Sequence, residues 1–169
     1  PGRKLMVEKF VSLARNLKID GLKIDYLDFL PPDTSRPLGA DALDFAGELS
    51  QKLREASPDF LVEYRQFYAT PSMLPHATQF RAGDTPFDFL DNFNRIGQMR
   101  TSLGDRIPIH ADPACWHPEE KPENVARHML CAMAGAPMLS MRLADMRPDH
   151  LRIVRNYMSL YNQLRDMYI

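Results

Sequence analysis

Charged residues recur in this chain directly after short apolar runs: Lys23 and Asp25, Glu63 and Arg65, Arg81 and Asp84, His110 and Asp112, then Arg142. Carboxylates gathered with ammonium and guanidinium groups are what glycoside hydrolysis requires. One carboxylate attacks as nucleophile or base, and the other protonates the leaving oxygen. A cation beside the first keeps it ionised, while a drier setting raises the pKa of the second. Plainer readings stand beside these. Asp25 reads either as a strand-end catalytic carboxylate or as a loop or cap residue. Asp84, in Gly83-Asp84-Thr85-Pro86, could cap the helix that follows, and Asp28, Asp33 and Asp88 read as loop or cap residues. Arg65 and Arg142 read as ion-pair partners or as sugar contacts. Trp116, the only tryptophan, either stacks on a sugar face or packs its own loop.

Other chemistries find less support. His110, Asp112 and His117 match no metal-ligand spacing, and neither an HExxH motif nor a cysteine cluster accompanies them. The expectation is therefore no metal and no cofactor. No glycine-rich phosphate fingerprint follows any predicted strand, and no Gly-x-Ser-x-Gly elbow is present.

The elements that must position these residues alternate. Apolar residues from Lys4 to Leu17 recur at helical spacing and lead into Leu22-Lys23-Ile24-Asp25-Tyr26, whose period-two pattern is that of a strand. Phe29 to Arg36 reads as a loop, Ala40 to about Glu55 as a helix, and Phe60–Tyr64 as a strand. Ala69 to Pro75 is too short for a full crossover helix, so a short or irregular connection is expected there. Further strands are predicted at Thr78–Arg81, Arg106–His110 and Pro137–Met141. Helices are predicted at Asp88–Leu103, Glu123–Ala134 and Asp149 to about Tyr168, with Ala111–Pro122 a loop. Five strands alternating with helices imply an α/β fold with a parallel sheet and right-handed crossovers. Both a doubly wound sheet and part of a TIM barrel fit, and polar residues at nearly every strand end favour the barrel.

Composition sets the outer bounds. The chain has 169 residues, 44% of them hydrophobic, which predicts a single domain with a sizeable core. A net charge of −1 gives no electrostatic case for a nucleic-acid or membrane-surface partner. No apolar run approaches the roughly 18 residues of a membrane span. Cys115 and Cys131 are too few for a disulfide framework and read as small buried hydrophobes. A chain that opens on Pro1-Gly2 and enters a helix at once is expected to be a piece of a longer protein. A whole barrel needs eight strands and about 250 residues. Five strands alone would leave two open edges and an unfilled interior, so further chain or partner copies are expected to close them.

The residues themselves carry a resemblance. Leu22-Lys23-Ile24-Asp25, followed by Phe80-Arg81-Ala82-Gly83-Asp84, resembles clan D glycoside hydrolases (families 27, 31 and 36), which include the α-galactosidases. In that clan a Lys-x-Asp motif ends the fourth barrel strand and carries the nucleophile, a pattern that Lys23 and Asp25 fit. An Asp after the sixth strand is the general acid/base, a few residues past an Arg that touches the sugar; Asp84 and Arg81 fit it. Glu63 matches a residue that reads the 2-hydroxyl, and His110-Ala111-Asp112-Pro113 is similar to the turn after strand seven. Ala136 to Ser140 and the last helix look like strand and helix eight. Phe67 departs from the pattern, standing where a hydroxyl-bearing aromatic is common, and the spacing from Arg81 to Asp84 is one residue shorter than in many family 27 members.

The resemblance implies that residues 1–169 are strands four to eight of a TIM (β/α)8 barrel, the C-terminal part of its catalytic domain. It implies a retaining α-glycosidase, foremost an α-galactosidase, with Asp25 and Asp84 catalytic. Lys23, Glu63, Arg65, Arg81, Asp112 and Trp116 would bind a carbohydrate substrate. The alternative is a barrel piece that binds carbohydrate or serves as scaffold without turnover.

Overall fold

The computed structural model describes residues 2–27, 33–85 and 87–167. The fold is α/β, helices alternating with the strands of a four-stranded parallel sheet taken in sequence order. The chain divides into two compact units, Pro1–Gln79 and Phe80–Ile169.

In the first unit, helix α1 (Gly2–Leu17) buries Val7, Val11 and Ala14, one stripe at helical spacing. Helix α2 (Ala40–Ala56) answers with Phe45, Ala46, Leu49 and Leu53, and the Phe10 and Phe45 rings meet edge to face at 6.1 Å. Helix α1 stops at Lys18, whose φ of 52° is left-handed. The Lys18 N–H then reaches Arg15 O at 3.3 Å and the Ile19 N–H reaches Ala14 O at 3.2 Å, closing the end carbonyls as a Schellman turn does.

That turn delivers strand β1 (Gly21–Ile24), which pairs in parallel with strand β2 (Leu61–Arg65). The register sets Gly21 beside Leu61, Lys23 beside Glu63 and Ile24 beside Tyr64. At Gly21 a Cβ would meet the Leu61 Cβ at 2.8 Å, so the close approach needs glycine. Ile24, Val62 and Tyr64 form the buried face. The opposite face carries Lys23 and Leu61, both exposed, and leads into Asp25 and Arg65. The irregular connection expected after β2 consists of two 3-10 turns, Gln66–Tyr68 and Pro71–His76.

The second unit opens on Phe80 and Arg81 of strand β3 (Gln79–Arg81), which pair in parallel with strand β4 (Ile109–His110), Arg81 beside His110. Helix α3 (Phe89–Leu103) begins at Asp88, whose side chain accepts the Asp91 N–H at 2.9 Å. Helix α4 (Pro122–Ala132) and helix α5 (Pro148–Leu164) each start with proline in the first turn, where its missing N–H costs nothing. The core gathers Ala114, Trp116, Val125, Met129 and Val154.

Two expectations are corrected here. Strand Arg106–His110 shortens to Ile109–His110; Pro108 has no N–H and contributes only its carbonyl, which accepts from the Phe80 N–H at 3.0 Å. The fifth strand, Pro137–Met141, does not form among the described residues. It is reduced to isolated parallel bridges, His110 with Ala136 and Ala114 with Leu139. The hydrogen bonds show why. The Ala111 N–H bonds Ala136 O and the Ala114 N–H bonds Met138 O, so one side advances three residues while the other advances two. The extra residue lies at Asp112-Pro113, a bulge centred on a proline, and Pro137 cannot donate on the opposite side. The loop predicted over Phe29–Arg36 falls partly on residues 29–32, outside the described residues, as does Asp28.

No helix of the described residues is long and apolar enough to cross a membrane.

Candidate active site

Strand β1 ends by presenting Asp25, and strand β2 ends one register step further with Arg65. The parallel pairing that sets Lys23 beside Glu63 therefore brings Arg65 alongside Asp25. Arg65 Nη1 lies 3.2 Å from both Asp25 oxygens, and Lys23 Nζ lies 3.5 Å from Oδ2. A third donor is the backbone N–H of Tyr26, 3.0 Å from Asp25 Oδ1. Tyr26 itself turns left-handed, at φ 60°. That conformation is costly for a residue with a Cβ and gathers at functional sites. The Asp25 side chain retains 25% exposure and Arg65 only 12%, so the carboxylate is held on one side and open on the other. Arg65 thus takes the ion-pair reading. Glu63 is buried nearby on β2 and accepts a bond from Gln79 Nε2 at 2.7 Å.

The second unit organises its polar residues around Arg81, which is 5% exposed. Its Nη1 pairs with Asp112, itself 2% exposed. Its Nη2 lies 3.0 Å from Asp84 Oδ1. Asp112 Oδ2 accepts the Thr85 N–H at 2.6 Å, and Asn92 clasps the Asp112 backbone on both sides, donating to its carbonyl and accepting from its N–H at 3.0 Å each. The bulge at Asp112-Pro113 and the Gly83–Thr85 turn are thereby tied into one buried knot. Asp84 stands out of it with its side chain 62% exposed. Asp84 does not cap helix α3, since Asp88 does. Cys115, three residues past Asp112, has its thiol pKa pushed up by burial first and by the Asp112 carboxylate second.

Trp116 takes the packing alternative. It is 4% exposed within the α4–α5 core, and its Nε1 donates to His150 Nδ1 at 3.3 Å. No ring face is left for a sugar. Arg142 pairs with Asp145 at 3.2 Å. His117 Nδ1 accepts the Glu119 N–H at 3.1 Å. Among the described residues no cluster of three His, Cys, Asp or Glu side chains could hold a metal ion.

Sequence reasoning missed two features of these clusters. The left-handed turn at Tyr26 has no signal in residue type. His150, placed by helix α5 against Trp116, sits 34 positions away from it and 30 from its other partner, the Glu120 carbonyl.

Compared with protein-family models, with curated proteins and with solved structures, the chain matches none.

Proposed function

We propose that this chain is part of a TIM barrel, its strands four to eight, from a retaining α-glycoside hydrolase acting on α-galactosides. The observation that carries the reading is the Asp25 carboxylate at the end of β1. Arg65, Lys23 and the Tyr26 N–H hold it on one side and leave it open on the other. Two cations complement the charge of the carboxylate, and three donors fix its direction before substrate arrives. The Arg81–Asp112 knot, by anchoring the Gly83–Thr85 turn, supports Asp84 as the second carboxylate.

In this scheme an Asp25 oxygen attacks the anomeric carbon as the glycosidic C–O bond breaks, and Asp84 gives its proton to the departing oxygen. Asp84, now ionised, takes a proton from water. The water oxygen attacks the anomeric carbon and breaks the ester to Asp25. Two inversions restore the starting configuration. Lys23 and Arg65 orient and balance the nucleophile, and Asp112 acts through Arg81 as a positioning residue for Asp84.

The test is turnover of aryl α-galactosides by the full chain beside Asp25→Asn and Asp84→Asn. Asp25→Asn should be inactive. Asp84→Asn should lose about 10²–10⁴-fold on poor leaving groups and much less on activated ones, as removal of a general acid does. Mass spectrometry after mixing with an activated glycoside should find one glycosyl group on Asp25. Near wild-type turnover by Asp25→Asn would remove Asp25 from the role. Sugar binding without aglycone release by the unmodified chain would favour the carbohydrate-binding alternative.

A further inference from the structure

Helix α5 is tied to the loop between strand β4 and helix α4 by one buried imidazole. His150 stands in the first turn of α5 and is 1% exposed. Its Nδ1 lies 3.3 Å from the Trp116 indole Nε1, and its Nε2 lies 2.9 Å from the Glu120 carbonyl oxygen. These two partners fix the proton. An indole N–H only donates, so Nδ1 is the acceptor and carries no hydrogen. A carbonyl only accepts, so Nε2 carries the single proton of a neutral ring. A second proton can enter only at Nδ1, where the indole N–H already points.

Charged groups face this ring from three elements. On α5, Asp149 accepts the His150 backbone N–H at 3.0 Å and pairs with Arg147 at 2.8 Å. On the loop, the Glu120 carboxylate accepts from the Lys121 N–H and from Asn124, each at 2.9 Å. Glu119 reaches Arg147 at 3.5 Å, and its N–H bonds His117. On α4, the His128 ring packs on Trp116 with centroids 5.6 Å apart, and the Glu120 and Asp88 carboxylates act on it. The indole, and not a carboxylate, occupies His150 Nδ1.

We infer that His150 is an acid-sensitive latch: neutral, it ties the Trp116 loop to helix α5, and protonated, it releases it. Histidine is the side chain whose charge changes near neutral pH. Protonation turns Nδ1 from acceptor into donor, so two donors confront each other and the bond to Trp116 is lost. The enclosed indole N–H must then find another acceptor or water, because leaving it unpaired is costly. The latch is closed at neutral pH and opens as pH falls. The same loop begins at Asp112, so the latch holds the far end of a segment that Arg81 anchors at its start.

Magnetic resonance of the imidazole nitrogens reads the closed state in the unmodified chain. At pH 7.5 His150 should be the Nε2–H tautomer, and a proton on Nδ1 there overturns the inference. On acidification the Trp116 indole N–H should lose its protection from exchange in step with protonation of Nδ1; protection that survives that protonation also overturns it. Emission of Trp116, the only tryptophan, reads the opening without denaturant. In His128→Gln, emission should shift to longer wavelength between pH 7.5 and 5.5 while the far-ultraviolet circular dichroism holds. Adding His150→Gln, whose amide oxygen can accept the indole N–H but does not titrate, should abolish the shift. An equal shift with and without His150, no shift with it, or a shift that comes only with loss of the helical signal overturns the latch.

Discussion

Replacing Asp112 by asparagine should be among the most destabilising single changes in the second unit. The substitution keeps the side-chain volume and removes one charge. Arg81 and Asp112 have side chains 6% and 3% exposed, so neither has much water to fall back on. Removing one partner of a buried pair costs about 3–5 kcal/mol, because the other charge remains in a poor solvent. Two features place Asp112→Asn near the low end: Arg81 keeps Asp84 at 3.0 Å, and the new amide oxygen can still accept the Thr85 N–H. At about 3 kcal/mol the melting temperature should fall by roughly 6–12 °C for a chain of this length. Urea unfolding followed by tryptophan fluorescence reads this unit directly, because the only tryptophan, Trp116, is in its core. The double variant Arg81→Met/Asp112→Leu removes both charges and should cost less than Asp112→Asn alone, as buried pairs replaced by apolar groups often do. A midpoint for Asp112→Asn equal to that of the unmodified chain would refute the argument. So would a double variant less stable than both singles combined.

Acid should weaken the second unit through His128. Its pKa is lowered chiefly by burial, with the Glu120 and Asp88 carboxylates opposing to a lesser degree. The unfolded chain therefore binds the proton before the folded one does, so stability is full above about pH 6.5 and falls as pH drops below it. The urea midpoint of the unmodified chain should fall more between pH 7.5 and 5.5 than that of His128→Gln; parallel slopes would exclude His128 as the cause. Gly135→Ala should cost roughly 1–3 kcal/mol, since its Cβ would sit 2.5 Å from Ile109 O in strand β4. Gly97→Ala, in an exposed position of helix α3 with nothing within 4 Å of the new carbon, should instead stabilise by about 0.5–1 kcal/mol; thermal melts of the two variants should move in opposite directions.

What was legible in the sequence followed from local periodicity. The helical spacing of apolar residues from Lys4 to Leu17 and the alternation Leu22-Lys23-Ile24 place helix α1 and strand β1 within a few residues of where they lie. Asp25 at a strand end was equally visible. The failures are of another kind. Pro137–Met141 has strand composition, yet its pairing depends on the opposite segment, where Asp112-Pro113 inserts a bulge that no pattern within 137–141 reveals. Trp116 looked like a loop residue because Pro113 and Pro118 flank it and the charged run Glu119-Glu120-Lys121 follows. Its neighbours in space, Val125, Met129, Val154 and His150, arrive on two later helices. The buried status of Asp112 likewise depends on Arg81, 31 residues earlier. Local spacing picked out polar residues at the strand ends, but burial and partner choice came from tertiary contacts.

That difference separates the roles of the two carboxylate clusters. Asp25 is paired yet partly open, and of its two cations Lys23 is exposed to water, so its removal should cost less stability than that of Asp112. Asp112 is paired and enclosed, so its removal strands a charge where water cannot follow. A residue whose loss abolishes turnover while leaving the fold intact acts at the chemistry. One whose loss loosens the fold acts through what it positions. Ion pairing alone does not distinguish Asp25 from Asp112, because each meets an arginine. Exposure does: the Asp25 and Asp84 carboxylates stay open to water, while Asp112 is enclosed beneath Asp84.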